Sequence, residues 1–470
     1  MPADYATGFQ GVEEELTDEL LAVEGTIPEW LDGSLVRNGP GTFEAGGETV
    51  DHWFDGLAML RKFTFDAGTV RYSNRYLRTD AYEQAQRGEF DGGFATGEST
   101  LRGRIKSFLF ADTYDNTNII AERLGDRYFA LTETPRWIEF DPETLETIGD
   151  FEYTGPAPSG QLACGHLQAD PATGELVNFE VEFGRTSQYH VYAMTAPEDR
   201  RPIASVSADE VAYMHSFALT PSYVVLTEFP FVVNPLVFFK PGRQPPFIEH
   251  FEWQPDRGTR FIVIDRSTGE VIAEPRTDAY FGFHHVNAFE DADELVIDLE
   301  TVPDAEAVET LYLDDLESGL DTPAASIRRF RIDLSGPPRI TVDPIYEGGT
   351  ALPTVSPDAR LRPYRFVYSQ STDEHVTDWP DSLLKIDVET GAVREFSVPD
   401  AHCSEPIFVP RPDSTDEDDG VVLSVMLDTA AEASWLLVLD GATFEERARA
   451  RLPHRLPYDF HGRFFPELTA

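Results

Sequence analysis

Lysine is nearly absent from this 470-residue chain: Lys62, Lys106, Lys240 and Lys385 are the only four. Lysine and arginine together number 37 against 84 aspartates and glutamates, a formal net charge of −47. Nucleic acid is thereby disfavoured as a partner, because phosphate binding needs a basic face. The acids are not gathered in one tail. They decorate turns throughout, as in a solvated coat whose self-repulsion is screened by salt. With so little lysine, that coat points to a high-salt cytoplasm. Cysteine is equally scarce, and Cys164 and Cys403 supply no disulfide framework. No run of about 18 apolar residues occurs, so no transmembrane helix is expected. Residues 1–24 are acidic and lack the basic-then-apolar order of a signal peptide. A cytoplasmic location is the expectation, and nothing marks a protein partner.

What is present reads as β-structure. The 34 glycines and 34 prolines are spread along the chain, which fits turns rather than a disordered tract. One turn pattern recurs: Phe140-Asp141-Pro142-Glu143-Thr144, Asp170-Pro171-Ala172-Thr173-Gly174, Ile264-Asp265-Arg266-Ser267-Thr268-Gly269, Ile386-Asp387-Val388-Glu389-Thr390-Gly391 and Leu439-Asp440-Gly441-Ala442-Thr443. Asp accepts backbone hydrogen bonds in such a turn and Gly supplies positive φ. Apolar strands such as Trp435-Leu436-Leu437-Val438-Leu439 precede these turns. Each unit reads as a β-hairpin, and many of them in series with little helical periodicity predict an all-β propeller of four-stranded blades. Helix is expected only over residues 13–23, in the N-terminal extension 1–24, and in short pieces at 304–309 and 313–320. No interdomain linker is visible, so 1–470 reads as one domain.

Four of the eleven histidines stand in short strand-like runs far apart in the chain. They are His166 after Ala163-Cys164-Gly165, His215 after Tyr213-Met214, His284 after Phe281-Gly282-Phe283, and His461 after Tyr458-Asp459-Phe460. In a propeller the innermost strand of every blade runs beside one axis, so residues remote in sequence can meet there. Four neutral imidazoles suit a borderline divalent metal such as Fe(II). Strand alternation lets only one of His284 and His285 face that axis.

The contexts of these histidines resemble the carotenoid cleavage oxygenases, non-haem iron enzymes that include a retinoid isomerase branch. The resemblance covers nearly the whole chain. It runs through residues 25–41 (Gly-Thr-Ile-Pro-Glu-Trp-Leu-Asp-Gly-Ser-Leu-Val-Arg-Asn-Gly-Pro-Gly), His52-Trp53-Phe54-Asp55-Gly56, Asn74-Arg75-Tyr76, Asp115-Asn116-Thr117-Asn118, Ala130-Leu131-Thr132-Glu133, Ser404-Glu405-Pro406-Ile407-Phe408-Val409 and Phe460-His461-Gly462. It implies a seven-bladed β-propeller with a dome of loops and short helices over one end. Iron would be held by His166, His215, His284 and His461; His284 is chosen over His285 because the family histidine lies three residues before an Asn, here Asn287. Leu167 replaces the family's usual proline after the first ligand. Glu133 and Glu405 match carboxylates that accept the far N–H of two ligands. The third carboxylate falls in Thr350-Ala351-Leu352-Pro353, where Ala351 takes its slot, leaving a water or another side chain to serve that histidine. Thr117 matches a threonine near the vacant coordination position. His52 is expected to be structural, and His190, His250, His285, His375, His402 and His454 to be ordinary surface or core residues.

The implied reaction is Fe(II)-dependent cleavage, by dioxygen, of a conjugated C=C bond in a carotenoid or apocarotenoid, giving two carbonyl products. Three alternatives stand beside it. One is a stilbene or phenylpropanoid cleaver, disfavoured because Thr132 stands where that branch has lysine. Another is isomerisation, which shares all four histidines. The third is a non-enzymatic propeller stabilised by zinc, although structural zinc prefers closed, Cys-rich sites. The run Phe229-Pro230-Phe231-Val232-Val233-Asn234-Pro235-Leu236-Val237-Phe238-Phe239 corresponds to the family's membrane-dipping patch. It predicts peripheral contact with a membrane surface from which a lipophilic polyene enters.

Overall fold

The recurrent Asp turns do close hairpins. In this computed structural model, which describes residues 4–90, 93–97, 114–372, 375–376 and 378–469, Asp265 Oδ1 accepts from the backbone N–H of Ser267 and Thr268, each at 2.9 Å. Asp387 and Asp440 make the same contacts two and three residues on. Gly269 and Gly391 take the left-handed conformation. Leu145 and Phe444 adopt it without glycine, because both side chains are buried and the Asp cap holds the turn.

The hairpins build seven blades around an axis. In the second to sixth blades the strands, from the inside outwards, follow chain order. The second blade runs Ile120–Leu124, Arg127–Leu131, Ile138–Phe140, Thr147–Asp150. The fourth runs Ala218–Leu219, Tyr223–Glu228, Thr259–Asp265, Val271–Ala273. The fifth and sixth share the bent strand Arg339–Thr354, whose register shifts where it passes between them. Middle strands are covered on both faces by adjacent blades. They therefore read as continuous apolar runs, such as Gly420–Asp428, rather than as alternation.

Closure joins the two ends of the chain. The strand Gly462–Phe465 pairs with Gly33–Thr42, from Ser34↔Phe465 to Arg37↔Gly462. Gly39 is needed at this seam: a Cβ there would stand 2.6 Å from Asp459 Cα.

The helix expected at 13–23 is not formed. A 3-10 turn spans Asp4–Phe9, and the strands Leu16–Leu20 and Ala22–Gly25 line the outer edges of the first and last blades. The sheet edge outcompetes local helical propensity by supplying partners: Leu16 N–H donates to Asn74 Oδ1 at 2.9 Å, and Tyr76 N–H donates to Glu15 Oε1 at 2.8 Å. The short helices Glu306–Glu309 and Leu313–Ser318 do form. Together with Asp80–Gln86 and the 3-10 turn Pro235–Phe239 they roof the end of the propeller where the histidines lie. Among the described residues no helix is long and apolar enough to cross a membrane.

Candidate metal centre

Each of the four histidines sits shortly before an innermost strand, outside its hydrogen-bonded part. His215 precedes Ala218–Leu219, His284 precedes His285–Asp291, and His461 precedes Gly462–Phe465. His166 lies between Leu162–Ala163 and Gln168–Ala169. Their ligand atoms all fall within 4.8 Å of one another, close enough to share one ion. Ring centroids are 4.3 Å apart for His166 and His461 and 5.0 Å for His284 and His461.

Three carboxylates orient the rings. His215 Nδ1 stands 2.6 Å from Glu133 Oε1 and His461 Nδ1 stands 2.8 Å from Glu405 Oε1. His284 Nδ1 stands 3.0 Å from Glu300 Oε2. With Nδ1–H donated outwards, each Nε2 turns its lone pair to the common centre. His284 Nε2 is buried and has no hydrogen-bond partner among the described residues, as an unfilled ligand position requires. Burial, then the neighbouring imidazoles, holds His166 and His284 well below the usual histidine range, so both are neutral and able to coordinate.

Glu300 is the other side chain that the sequence left open in place of the third carboxylate. Ala351 faces the cavity and contributes nothing to His284. The carboxylate comes instead from the strand Glu294–Thr301, hairpin partner of the ligand's own strand, where Glu300 N–H also donates to His284 O at 3.0 Å. Burial raises Glu300 to about 8, opposed by the hydroxyl of Thr350 at 3.3 Å. A nearby cation favours the ionised form. The hairpin offered a signal: a turn at Asp291–Glu294 sets His285 opposite Leu299 and so brings residue 300 to His284. Glu300→Gln is expected to lower metal affinity about 10- to 100-fold, measured by titration of the metal-free protein, with Glu300→Asp recovering part of the loss.

Other residues secure these partners. Tyr213 O–H donates to Glu133 at 2.9 Å, and Gly462 N–H donates to Glu405 Oε2 at 2.7 Å. His285 points away from the axis, as alternation predicts, to Ser216 and Thr227 at 2.7 and 2.9 Å. His52 is structural: it accepts from Phe54 N–H through Nδ1 and, through Nε2, contacts the Val308 carbonyl of the roof at 3.0 Å. Asn116 and Asn118 tie their segment to the backbone of Phe54, Gly56 and Ala58. The hydroxyl of Thr117 is buried and has no hydrogen-bond partner among the described residues, while its carbonyl accepts from Asn38 Nδ2 at 2.7 Å. His190, His402 and His454 bond elsewhere. His250 lines the cavity, and the His375 side chain lies outside the described residues.

The quartet opens into a cavity of about 990 Å³. His215, His284 and His461 reach its wall, which is mostly apolar and to which Phe54, Phe94, Phe238, Phe283, Trp379 and Phe460 contribute rings. Such a space takes a long apolar ligand with a few polar contacts.

A seven-bladed propeller with an axial imidazole quartet and carboxylate supports defines one class of protein, and comparison with known sequences and structures places the chain within it. Residues 9–466 match the family model described as retinal pigment epithelial membrane protein. The chain is 33% identical to carotenoid cleavage dioxygenase 8 of Arabidopsis thaliana, over 98% of this chain and 85% of the relative. It is 31% identical to β,β-carotene 15,15′-dioxygenase of Gallus gallus, over 98% of both. Cobalt-substituted Synechocystis ACO superposes with a TM-score of 0.86 at 28% identity, covering 99% of each chain. The protein belongs to the carotenoid oxygenase family.

Proposed function

We propose that this protein is an Fe(II)-dependent dioxygenase that cleaves a conjugated C=C bond of a carotenoid or apocarotenoid to two carbonyl products. The observation that carries the reading is four imidazoles converging at the wall of an apolar cavity. The donor set fits ferrous iron: nitrogen ligands alone, three of them oriented by carboxylates. His166, His215, His284 and His461 would hold the ion, which supplies the dioxygen chemistry that no side chain here can perform. Glu133, Glu300 and Glu405 fix the rings. Phe283 and Phe460 stand beside the ligands and shape the space for a flat polyene. The aromatic wall keeps bulk water from the double bond and aligns it. Thr117, whose hydroxyl is buried and has no hydrogen-bond partner among the described residues, would lie near the coordination position left for dioxygen. No lysine lines the described wall, which favours a polyene over a phenolic stilbene.

The test is turnover of a polyene series by anaerobically purified, iron-loaded protein under labelled dioxygen. Oxygen-dependent loss of polyene absorbance, with label in both fragments, is expected. Geometric isomers without label would replace cleavage by isomerisation. Bound zinc with no turnover of any conjugated substrate would leave only a scaffold.

Substrate delivery is proposed to use a membrane. In the run from Phe229 to Phe239 the first half is a buried strand, Phe231–Val233, while the turn Pro235–Phe239 projects outwards. Leu236 and Phe239 are exposed (66% and 46%) beside Lys240. Phe238, between them, turns inwards to stack on Phe247 at 5.9 Å and joins the cavity wall. An apolar cap over an apolar opening admits a lipid-dissolved ligand. The double variant L236E/F239E is expected to reduce vesicle co-sedimentation by about tenfold or more, since each side chain is worth at least about 1.5 kcal/mol when buried. The assay belongs at high salt, where the net charge of −47 is screened.

A further inference from the structure

Two stretches of the cavity wall differ in chemistry. One is apolar, at Phe183, Phe238 and Phe247: the ring of Phe238 stacks on Phe247 and meets Phe183 edge to face. The other carries Arg136, Asp80 and Gln84. A guanidinium has no part in binding pure hydrocarbon, and this one is built in. Its Nε donates to Asp150 Oδ1 at 2.9 Å, and Nη2 donates to Asp80 Oδ2 at 2.8 Å and to Asp150 Oδ2 at 3.4 Å. Nη1 stands 3.3 Å from Asp115 Oδ2. Guanidinium carries five N–H donors; among the described residues these contacts engage at most four, so one remains on Nη1. Asp115 is buried and fixed in turn by the backbone N–H of Asp80 and Ala81 at 2.7 and 2.9 Å.

Arg136 is also near the chemistry. It lies three residues beyond Glu133, the carboxylate that orients His215, a stretch that spans at most about 11 Å when fully extended. A ligand atom held by Arg136 therefore sets which double bond of a rigid polyene lies at the quartet.

We propose that Arg136 donates to an oxygen at one end of the substrate, so that the preferred polyene bears a terminal hydroxyl or carbonyl rather than two hydrocarbon ends. This rests on the polyene-cleaving reading above and narrows it. A hydrocarbon terminus at this wall would strip water from Arg136 and its carboxylates and give nothing back, whereas an oxygen accepts the uncommitted N–H and a hydroxyl can donate to Asp80 as well.

The experiment compares two polyenes of equal length, one with a terminal aldehyde and one a hydrocarbon. Both are titrated without oxygen into cobalt-loaded protein and followed by the polyene absorbance shift. The wild-type protein is expected to bind the aldehyde about tenfold or more tightly, the worth of a hydrogen bond to a charged donor. In Arg136→Met that ratio should fall to near one, and Arg136→Lys should recover part of it. Equal affinities in the wild type, or a ratio that survives in Arg136→Met, would overturn the proposal; the wild-type ratio decides alone if Arg136→Met does not fold. Admitting oxygen to a parallel iron-loaded sample separates the two readings, because failure of the iron-loaded protein to cleave either ligand sinks the dioxygenase and leaves the binding ratio standing.

Discussion

His461→Ala is expected to lower ferrous affinity by more than about a hundredfold, beyond the loss of a merely orienting partner, and to abolish polyene turnover. The ring is nearest to His166 and His284, with centroids 4.3 and 5.0 Å away, so its removal opens one side of the quartet. The fold should survive, because closure is made by the backbone of Gly462–Phe465 and Glu405 keeps its bond to Gly462 N–H. His285→Ala is the matched control. That ring bonds only to Ser216 and Thr227, so its loss should cost about 1–2 kcal/mol of stability while the metal is retained. Metal content and circular dichroism of the two variants, measured together, check this. Iron retained by His461→Ala would contradict the site.

Asp459→Ala is expected to destabilise the fold by about 3–5 kcal/mol, the loss typical of a buried charge pair broken from one side. Asp459 accepts from Arg37 Nε at 2.6 Å and Nη2 at 2.7 Å, and Arg61 Nη1 lies 3.5 Å away. Both arginine side chains are fully buried, and Arg61 Nε has no hydrogen-bond partner among the described residues. Without the carboxylate, two positive charges face one another in the interior. Arg37 Nη1 also donates to Glu405 O at 3.0 Å, so strain at this pair reaches the support of His461. Urea unfolding of the metal-free protein is the measurement; a midpoint equal to that of the wild type would refute the argument.

The four histidines that converge were legible in the sequence because each stands in a distinctive local run, and the hairpins because Asp265, Asp387 and Asp440 cap turns by contacts two and three residues away. Such signals are local. Glu300 was hidden because its role depends on the pairing of two strands across a bulge at His285–Asn287, and because the chain has 84 acids from which one more is hard to single out. The edge strands at 16–25 were hidden for a related reason: a leucine- and glutamate-rich segment has helical propensity until Asn74 and Tyr76, more than fifty residues away, offer better partners. Arg136 could be read only once folding had set it in the same cavity as the histidines.

The circle of blades is sealed by the strand that directly follows His461, so the last ligand and the last structural seam reach the hub in one event. A ribosome-bound chain that has emerged only as far as the sixth blade already carries His166, His215 and His284, yet its ring is open. On the proposed function, tight metal capture would therefore report that the ring has closed, and a chain cut short before Phe460 would lose the fourth imidazole and the clasp together. Since the pairing Ser34↔Phe465 spans almost the whole chain, this step carries a heavy loop-closure penalty and comes late in folding.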